Sequence, residues 1–476
     1  MDMTALGRRV SLAFAVFFLF ISCNGAFAEE KAVLISTSDD QSATSLTVYN
    51  ANIGLVKEKR NVNLQEGTTE LRFMDVASKI IPASVYIKSS GRDFKVLEQN
   101  YEYDLMTPQR LLEKQIGKEV RLYYKSPYTD KEETVNATLL SYSGEPIFKI
   151  GNEITIGLQG KSIFMKMPEN LTSRPALVWL VSGKKSKQEI EVSYLTEDLS
   201  WKADYVFTVN EKEDRLDISG WVTVDNRSGV AYKDAKFVLI AGDINRVREE
   251  PRTRRVMAAQ APAAVPQFKE EGVFEYYQYT LERPATIKNN QSKQISFLSA
   301  ADVPVKKEYV FRGESYYYFN RYPERVPAQK VGVQLEVTNE QKNNLGIPLP
   351  RGGVRAYKTD SSGSLQFIGE SQTDHTPKGE KIKVRVGDSF DIVAGRKQTD
   401  WKKISSDVTE SAYEISLRNH KKETVVVKVI EPVPGDWTII NSSHEYAKTE
   451  ASAVEFSVPV LADSEAKLLY KVRIKQ

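Results

Sequence analysis

Few side chains in this sequence have the types and spacing that catalysis or metal binding requires. The three histidines, His375, His420 and His444, each lie in a polar, turn-like context, and no pair has the spacing of a zinc motif such as H-E-x-x-H. The single cysteine, Cys23, lies in an N-terminal export segment, so no thiol remains for nucleophilic catalysis. We therefore assign no catalytic residue, no metal ligand and no cofactor.

Carboxylates are the remaining groups that could catalyse a reaction. Two acids on either side of a sugar can hydrolyse a glycosidic bond, but such partners meet only in the tertiary structure. The acids of first interest are Asp388 and Asp391 in the string GDSFDIV, and Asp243 at the end of a strand-rich stretch. Their default interpretation is a role in turns and strand ends.

Two aromatic stretches are the best candidates for a binding surface. Both carry aromatic residues on both faces of the segment, which is more than one buried face requires. Exposed tyrosines would suit a glycan or a protein strand, whereas packing inside a thick β-sandwich explains the same pattern. The candidate residues are Tyr276, Tyr277, Tyr279, Tyr316, Tyr317 and Tyr318.

The central feature of the sequence is the stretch 189–247, whose pattern predicts four consecutive β-strands. Residues 201 to 209 alternate between apolar and polar side chains, and residues 216 to 224 repeat the alternation with Gly220 in the apolar phase. Polar turns at 210–215 and 226–229 separate the strands. We expect both tryptophans of this meander, Trp201 and Trp221, to be core anchors.

Short alternating strands with turn signals continue along nearly the whole chain, and this spacing favours sandwiches or barrels. The best helix is at 104–117, with Thr107 as its cap and Gly117 as its stop. We predict an all-β fold of several antiparallel, immunoglobulin-like β-sandwich modules, plus a small barrel-like subdomain and one short helix.

The predicted organisation has four parts. Residues 1–28 are a signal peptide, 29–100 an N-terminal β-domain, and 101–180 the short helix with the barrel-like subdomain. Residues 181–476 form the remaining sandwich modules. Within them, 246–271 is rich in charge, alanine and proline, which is typical of a linker or a long exposed loop.

The N-terminus has the features of an export signal. Two arginines precede the apolar run 10–21, and small residues at 26 and 28 offer a cleavage site before Glu29. The string ending in Cys23 also resembles a bacterial lipoprotein box, which would make this cysteine a lipidated first residue. We expect a periplasmic or secreted protein, or alternatively one anchored through Cys23, with no transmembrane segment in the mature chain.

The charge distribution limits the class of partner. The formal net charge is +3, and acidic and basic residues are interspersed along the chain. This pattern argues against a nucleic-acid partner or a polybasic membrane surface.

Asparagine recurs at predicted strand ends, at Asn50, Asn226, Asn339 and Asn419. Duplicated sandwich modules with equivalent strands would produce this recurrence. The alternative is that asparagine simply favours entry into turns.

Five strings of the sequence are informative when taken together: SYLTEDLSWKADYVFTV, GWVTVDNRSGVAYKDAKFVLIAGDINRV, YTLERPATIKNNQSKQISFL, LEVTNEQKNNLGIPLPRGGVRAYK and FIGESQTDHTPKGEKIKVRVGDSFDIV. Together they resemble a bacterial exported family known as domain of unknown function 4139, and the resemblance covers about residues 190 to 474. The resemblance implies a β-rich envelope protein and supplies no catalytic residues. Some relatives carry a coiled coil and the name mucoidy inhibitor, but this sequence has no such coiled coil.

Together these features predict a non-enzymatic envelope protein that binds or scaffolds a protein or polysaccharide partner. The alternative is a glycan-acting hydrolase that uses two carboxylates in a cleft between modules. The oligomeric state is left open by the sequence.

Overall fold

The computed structural model describes residues 32–125, 132–157, 160–166, 168, 171–242, 268–273, 276–322 and 326–475. Strands make up 68% of the structure, so the all-β prediction is confirmed. The described part contains one α-helix and short 3₁₀ turns at Ser38–Asp40, Pro82–Ser84, Ser315–Tyr318 and Gln341–Asn343. No helix in these ranges is long and apolar enough to cross a membrane.

The strands are numbered in chain order. The first are β1 (Ala32–Ser36), β2 (Gln41–Tyr49), β3 (Ile53–Leu64), β4 (Gly67–Met74), β5 (Tyr86–Ser89) and β6 (Lys95–Glu102). Helix α1 (Pro108–Lys114) is followed by β7 (Glu119–Lys125), β8 (Glu132–Ser143), β9 (Glu145–Ile150), β10 (Glu153–Ile156), β11 (Gly160–Ile163) and β12 (Ala176–Gly183).

The middle of the chain forms β13 (Ser186–Glu197), β14 (Leu199–Val209), β15 (Arg215–Asn226), β16 (Tyr232–Ala241), β17 (Phe268–Val273), β18 (Tyr276–Leu281), β19 (Ala285–Ile287) and β20 (Gln291–Pro304). The last strands are β21 (Lys306–Arg312), β22 (Val326–Thr338), β23 (Gly352–Thr359), β24 (Leu365–Thr373), β25 (Lys381–Lys403), β26 (Val408–Asn419), β27 (Val425–Pro432), β28 (Asp436–Ser442), β29 (Tyr446–Glu450), β30 (Ala453–Val460) and β31 (Ser464–Lys475).

These strands form five sheets, none of which closes. We name the sheet β20-β15-β14-β23-β24 the platform sheet and the sheet β10-β9-β8-β7-β11 the insert sheet. The others are a four-stranded sheet (β1-β4-β12-β6), an eight-stranded sheet (β17-β18-β16-β2-β3-β13-β5, with β19 beside β16) and a nine-stranded sheet (β28-β31-β26-β25-β22-β21-β27-β30-β29).

The alternation predicted for residues 201 to 209 is confirmed in β14. Trp201, Tyr205 and Phe207 are buried, whereas Lys202 is exposed. The chain then turns back into β15, where the Asn210 N–H donates to the Arg215 carbonyl at 2.9 Å. A local pattern of side chains therefore determines this hairpin.

The four strands predicted for 189–247 exist, but they do not form one meander. β14 pairs with β15, whereas β13 pairs with β3 and β5, and β16 pairs in parallel with β2. The chain changes sheet after β13 and again before β16. Alternation could not reveal this, because it shows which face of a strand is buried and not which strand lies beside it.

The predicted helix is confirmed in a shorter form, as α1. Its cap is the predicted Thr107, whose side chain accepts the Arg110 N–H at 3.1 Å. The five strands that follow it were expected to make a small barrel-like unit. They form the open insert sheet instead, with β10 and β11 as its two edges, around a small core that contains Leu122, Leu139 and Phe148.

Two larger cores hold the rest of the described chain together. The first joins residues of the four-stranded, eight-stranded and platform sheets, among them Trp179, Val192 and Tyr205. The second lies against the nine-stranded sheet and includes Phe311 and Val427. The domain boundaries at 100 and 180 stay predictions, and the eight-stranded sheet takes strands from both sides of them.

The predicted linker 246–271 lies mostly outside the described residues. Its last four residues belong to β17, which pairs with β18 in antiparallel register.

Candidate functional site

One face of the platform sheet carries polar and aromatic side chains that reach solvent. A single row across its five strands contains Ser296, Trp221, Asp204, Gly353 and Gln372, each paired in register with the next. Residues that face each other across neighbouring strands point to the same side of the sheet. The row therefore places an aromatic ring, a carboxylate and an amide side by side on one surface.

Trp221 is the residue of this row that the sequence interpretation missed. It was expected in the core, but 41% of its surface is exposed, whereas Trp201 is buried as expected. The signal was present in the sequence. Gly220 and Val222 lie on the buried face of β15. Trp221 lies between them and must therefore point to the opposite face.

The Asp204 carboxylate lies at the centre of the row between cations. Lys202 Nζ is 3.6 Å from one of its oxygens, and Arg355 Nη1 is 3.7 Å from the other. The Thr223 hydroxyl donates to Asp204 Oδ2 at 3.3 Å, and the Thr223 hydroxyl in turn accepts from the Gln294 amide at 3.4 Å. This network orients the carboxylate while leaving it half-buried at the surface.

A groove of about 700 Å³ runs beside Asp204. Arg355 stands on its wall and also approaches Glu370 Oε2 at 3.6 Å, so the two acids of the groove share one guanidinium group. The lining mixes charged and polar groups from four segments of the chain. Its residues are Asn50, Ala51, Trp201, Lys202, Ala203, Asp204, Pro350, Arg351, Gly352, Gly353, Arg355, Glu370, Ser371 and Gln372.

Two glycines shape the groove. A Cβ atom on Gly352 would lie 2.4 Å from the Ala203 carbonyl oxygen, so only glycine allows β23 to approach β14 this closely. A Cβ atom on Gly353 would point towards the surface, 3.6 Å from Asp204 Oδ1. The missing side chain at 353 thus keeps the space next to the carboxylate open.

The first predicted aromatic stretch lies in β18, away from the groove lining. Tyr279 is 2% exposed, and its hydroxyl donates to the Pro348 carbonyl at 3.0 Å, which gives this residue a role in the core. Tyr276 and Tyr277 are half-buried. Binding by these two tyrosines stays a prediction.

The second predicted stretch forms a 3₁₀ turn over a buried ion pair. Tyr317 and Tyr318 are buried, and the Tyr318 hydroxyl lies 2.7 Å from Glu431 Oε2, which is ion-paired to Arg396. Burial, and then the Glu431 charge, raise the pKa of Tyr318. Of the three candidate tyrosines of this stretch, Tyr316 reaches solvent, at 49% exposure, and the other two fill the core.

The remaining chemical candidates are scattered. Asp388 pairs with Arg385, and Asp391 lies near it on a second, smaller cavity, whereas Asp243 and Cys23 lie outside the described residues. The three histidines occupy separate loops. Within the described ranges, no group of three or more His, Cys, Asp or Glu side chains is arranged to hold a metal ion.

A comparison with protein families matches residues 190–475 to one described as a domain of unknown function, DUF4139. This match covers more than half of the sequence. The chain is a member of the DUF4139 family. None of the curated proteins compared with it is significantly similar.

The DUF4139 region supplies every strand of the platform sheet, from β14 to β24. Two residues of the groove, Asn50 and Ala51, come from the turn between β2 and β3, outside the matched region. The DUF4139 domain and the N-terminal strands of this chain therefore build the site together.

Proposed function

We propose that this protein is a non-enzymatic, exported envelope protein that binds an extended polysaccharide along the platform sheet. The observation that carries the proposal is the row of Trp221, Asp204 and Gly353 beside an open groove. The flat face of an aromatic ring packs against the apolar face of a sugar ring. Carboxylate, amide and guanidinium groups next to it can satisfy the sugar hydroxyls.

The same proposal includes the location and the finer architecture of the protein. Its export signal would deliver it to the periplasm or the exterior, either free or anchored through Cys23. The two large cores of the described chain support an arrangement as immunoglobulin-like sandwich modules.

The test is a binding measurement on the purified protein with peptidoglycan, cellulose, chitin and starch. We expect Trp221→Ala to weaken binding of the best polysaccharide about tenfold or more, because the stacking surface is lost. Trp221→Phe should retain most of the affinity. Tyr86→Ala, which removes a 62% exposed aromatic from β5 of another sheet, is the matched control and should bind like the wild type.

Two outcomes would contradict the proposal. One is equal binding by Trp221→Ala and the wild type, and the other is no binding to any of the four polymers. The hydrolase alternative predicts release of reducing ends, which should be lost in Asp204→Asn or Glu370→Gln while polymer binding persists. A non-enzymatic binding protein releases none.

A further inference from the structure

A second cavity, of about 260 Å³, lies apart from the groove, where the platform sheet meets the nine-stranded sheet. Its apolar wall includes Tyr309, Val333, Leu335 and Ile368. A cavity of roughly 150 Å³ with such a lining accommodates benzene. This cavity is therefore large enough for an aromatic side chain.

Phe390 stands at the edge of this cavity without filling it. It lines the cavity, yet 96% of its surface is exposed to solvent. The surface thus combines an apolar hollow with a projecting phenylalanine, a pairing typical of interaction sites.

Charges of both signs surround the cavity in equal number. Glu213 lies between Lys307 and Lys358, with its oxygen 2.6 Å from Lys358 Nζ. The other charged lining residues are Asp388, Asp391 and Lys421. A partner that carries charges of one sign would meet like charges at this cavity. A second copy of the chain carries the same mixture of acidic and basic residues, so each charge could face one of opposite sign.

We propose that this face is an interface between two copies of the chain, in which Phe390 of each copy enters the cavity of the other. A two-fold axis brings the same patch of both copies together, so one residue and one cavity are used twice. An aromatic side chain buries about 150–250 Å². The charged residues around both cavities would then form the polar rim of this contact.

Sedimentation velocity of the purified protein over a concentration series tests the dimer. We expect a reversible dimer for the wild type and a dissociation constant at least about tenfold higher for Phe390→Ala. Val333→Trp, which fills the cavity from within, should weaken the dimer in the same way. Tyr86→Ala, on the eight-stranded sheet, should leave it unchanged.

A photo-crosslinking amino acid at position 390 tests the geometry. In a mixture of isotopically light and heavy protein, crosslinks from 390 to β22 or β24 should join light peptides to heavy peptides. A protein that is monomeric at every concentration would overturn the proposal. So would a dimer that Phe390→Ala and Val333→Trp leave intact, or crosslinks confined to single copies.

Discussion

Buried charges in this protein occur as pairs with hydrogen-bonding neighbours. Arg60 is fully buried with its Nη2 2.7 Å from Glu58, and Arg396 is buried against Glu431, to which Tyr318 donates. Removing one member of such a pair leaves an uncompensated charge in the core. At the residue scale these pairs are structural, and they lie outside the groove of the platform sheet.

Glu410 is a paired carboxylate whose contribution to stability can be tested by its dependence on pH. Lys471 Nζ and Arg473 Nη2 lie 2.8 Å and 2.6 Å from its oxygens. Hydrogen bonds from Lys471 and then Arg473 lower the pKa of Glu410. A carboxyl group with a lowered folded pKa stabilises the fold above its unfolded pKa of about 4.3, and the stabilisation is lost as pH falls through the folded pKa.

We therefore expect Glu410→Gln to lower the unfolding temperature at neutral pH. The difference from the wild type should shrink as the pH falls below about 4. Thermal unfolding followed by circular dichroism at a series of pH values measures both effects. Glu66→Gln, at an exposed turn, is the control, and a Glu410→Gln difference that is constant with pH would contradict the prediction.

At the scale of elements, a buried asparagine at or directly after the end of each of three strands holds two loops together. Asn419 donates to the Glu423 and Leu461 carbonyls and accepts the Lys421 N–H. Its counterparts are Asn226 and Asn339. The side chains satisfy backbone groups that burial would otherwise leave unpaired.

The fourth asparagine of the recurring pattern, Asn50, is exposed and has no such role in the described structure. The recurrence therefore has a physical cause in three of its four members, namely loop clamping rather than turn entry alone. Equivalent strands in duplicated modules would explain the three clamps, and that duplication stays a prediction.

Asn419→Ala should destabilise the nine-stranded sheet by about 2–4 kcal/mol, because several buried backbone groups lose their partner. Urea unfolding followed by tryptophan fluorescence measures this, since Trp437 lies in β28 of that sheet. Asn50→Ala is the matched control and should change stability by less than about 0.5 kcal/mol. Equal effects of the two substitutions would refute the clamping role.

At the scale of the whole molecule, the family region is not a separate structural unit. β13 pairs along its length with β3, and β16 pairs with β2, so strands before residue 65 complete the eight-stranded sheet. The chain also leaves the nine-stranded sheet after β22, adds β23 and β24 to the platform sheet, and returns in β25. The eight-stranded sheet and the platform sheet therefore each join strands that are far apart in the sequence.

A fragment of residues 190–475 should consequently be insoluble or lack cooperative unfolding. Without β2 and β3, the core faces of β13 and β16 lose their neighbours and are exposed. A chain of residues 32–475 should be soluble, and co-expression of 32–185 with the fragment should restore part of the soluble yield. A soluble 190–475 fragment that unfolds cooperatively would show that the family region folds alone.

The sequence by itself determined the strands, the short helix and the buried face of each strand, because alternation and helix capping are local properties. It even carried the signal that Trp221 points away from the core. Only the tertiary structure decided that β14 lies beside β23 and that Asp204 stands between Trp221 and Gly353. The alternation within a strand shows which of its faces is buried, but it does not show which strand lies beside it. A parallel pair between strands far apart in the chain therefore produces no local sequence pattern.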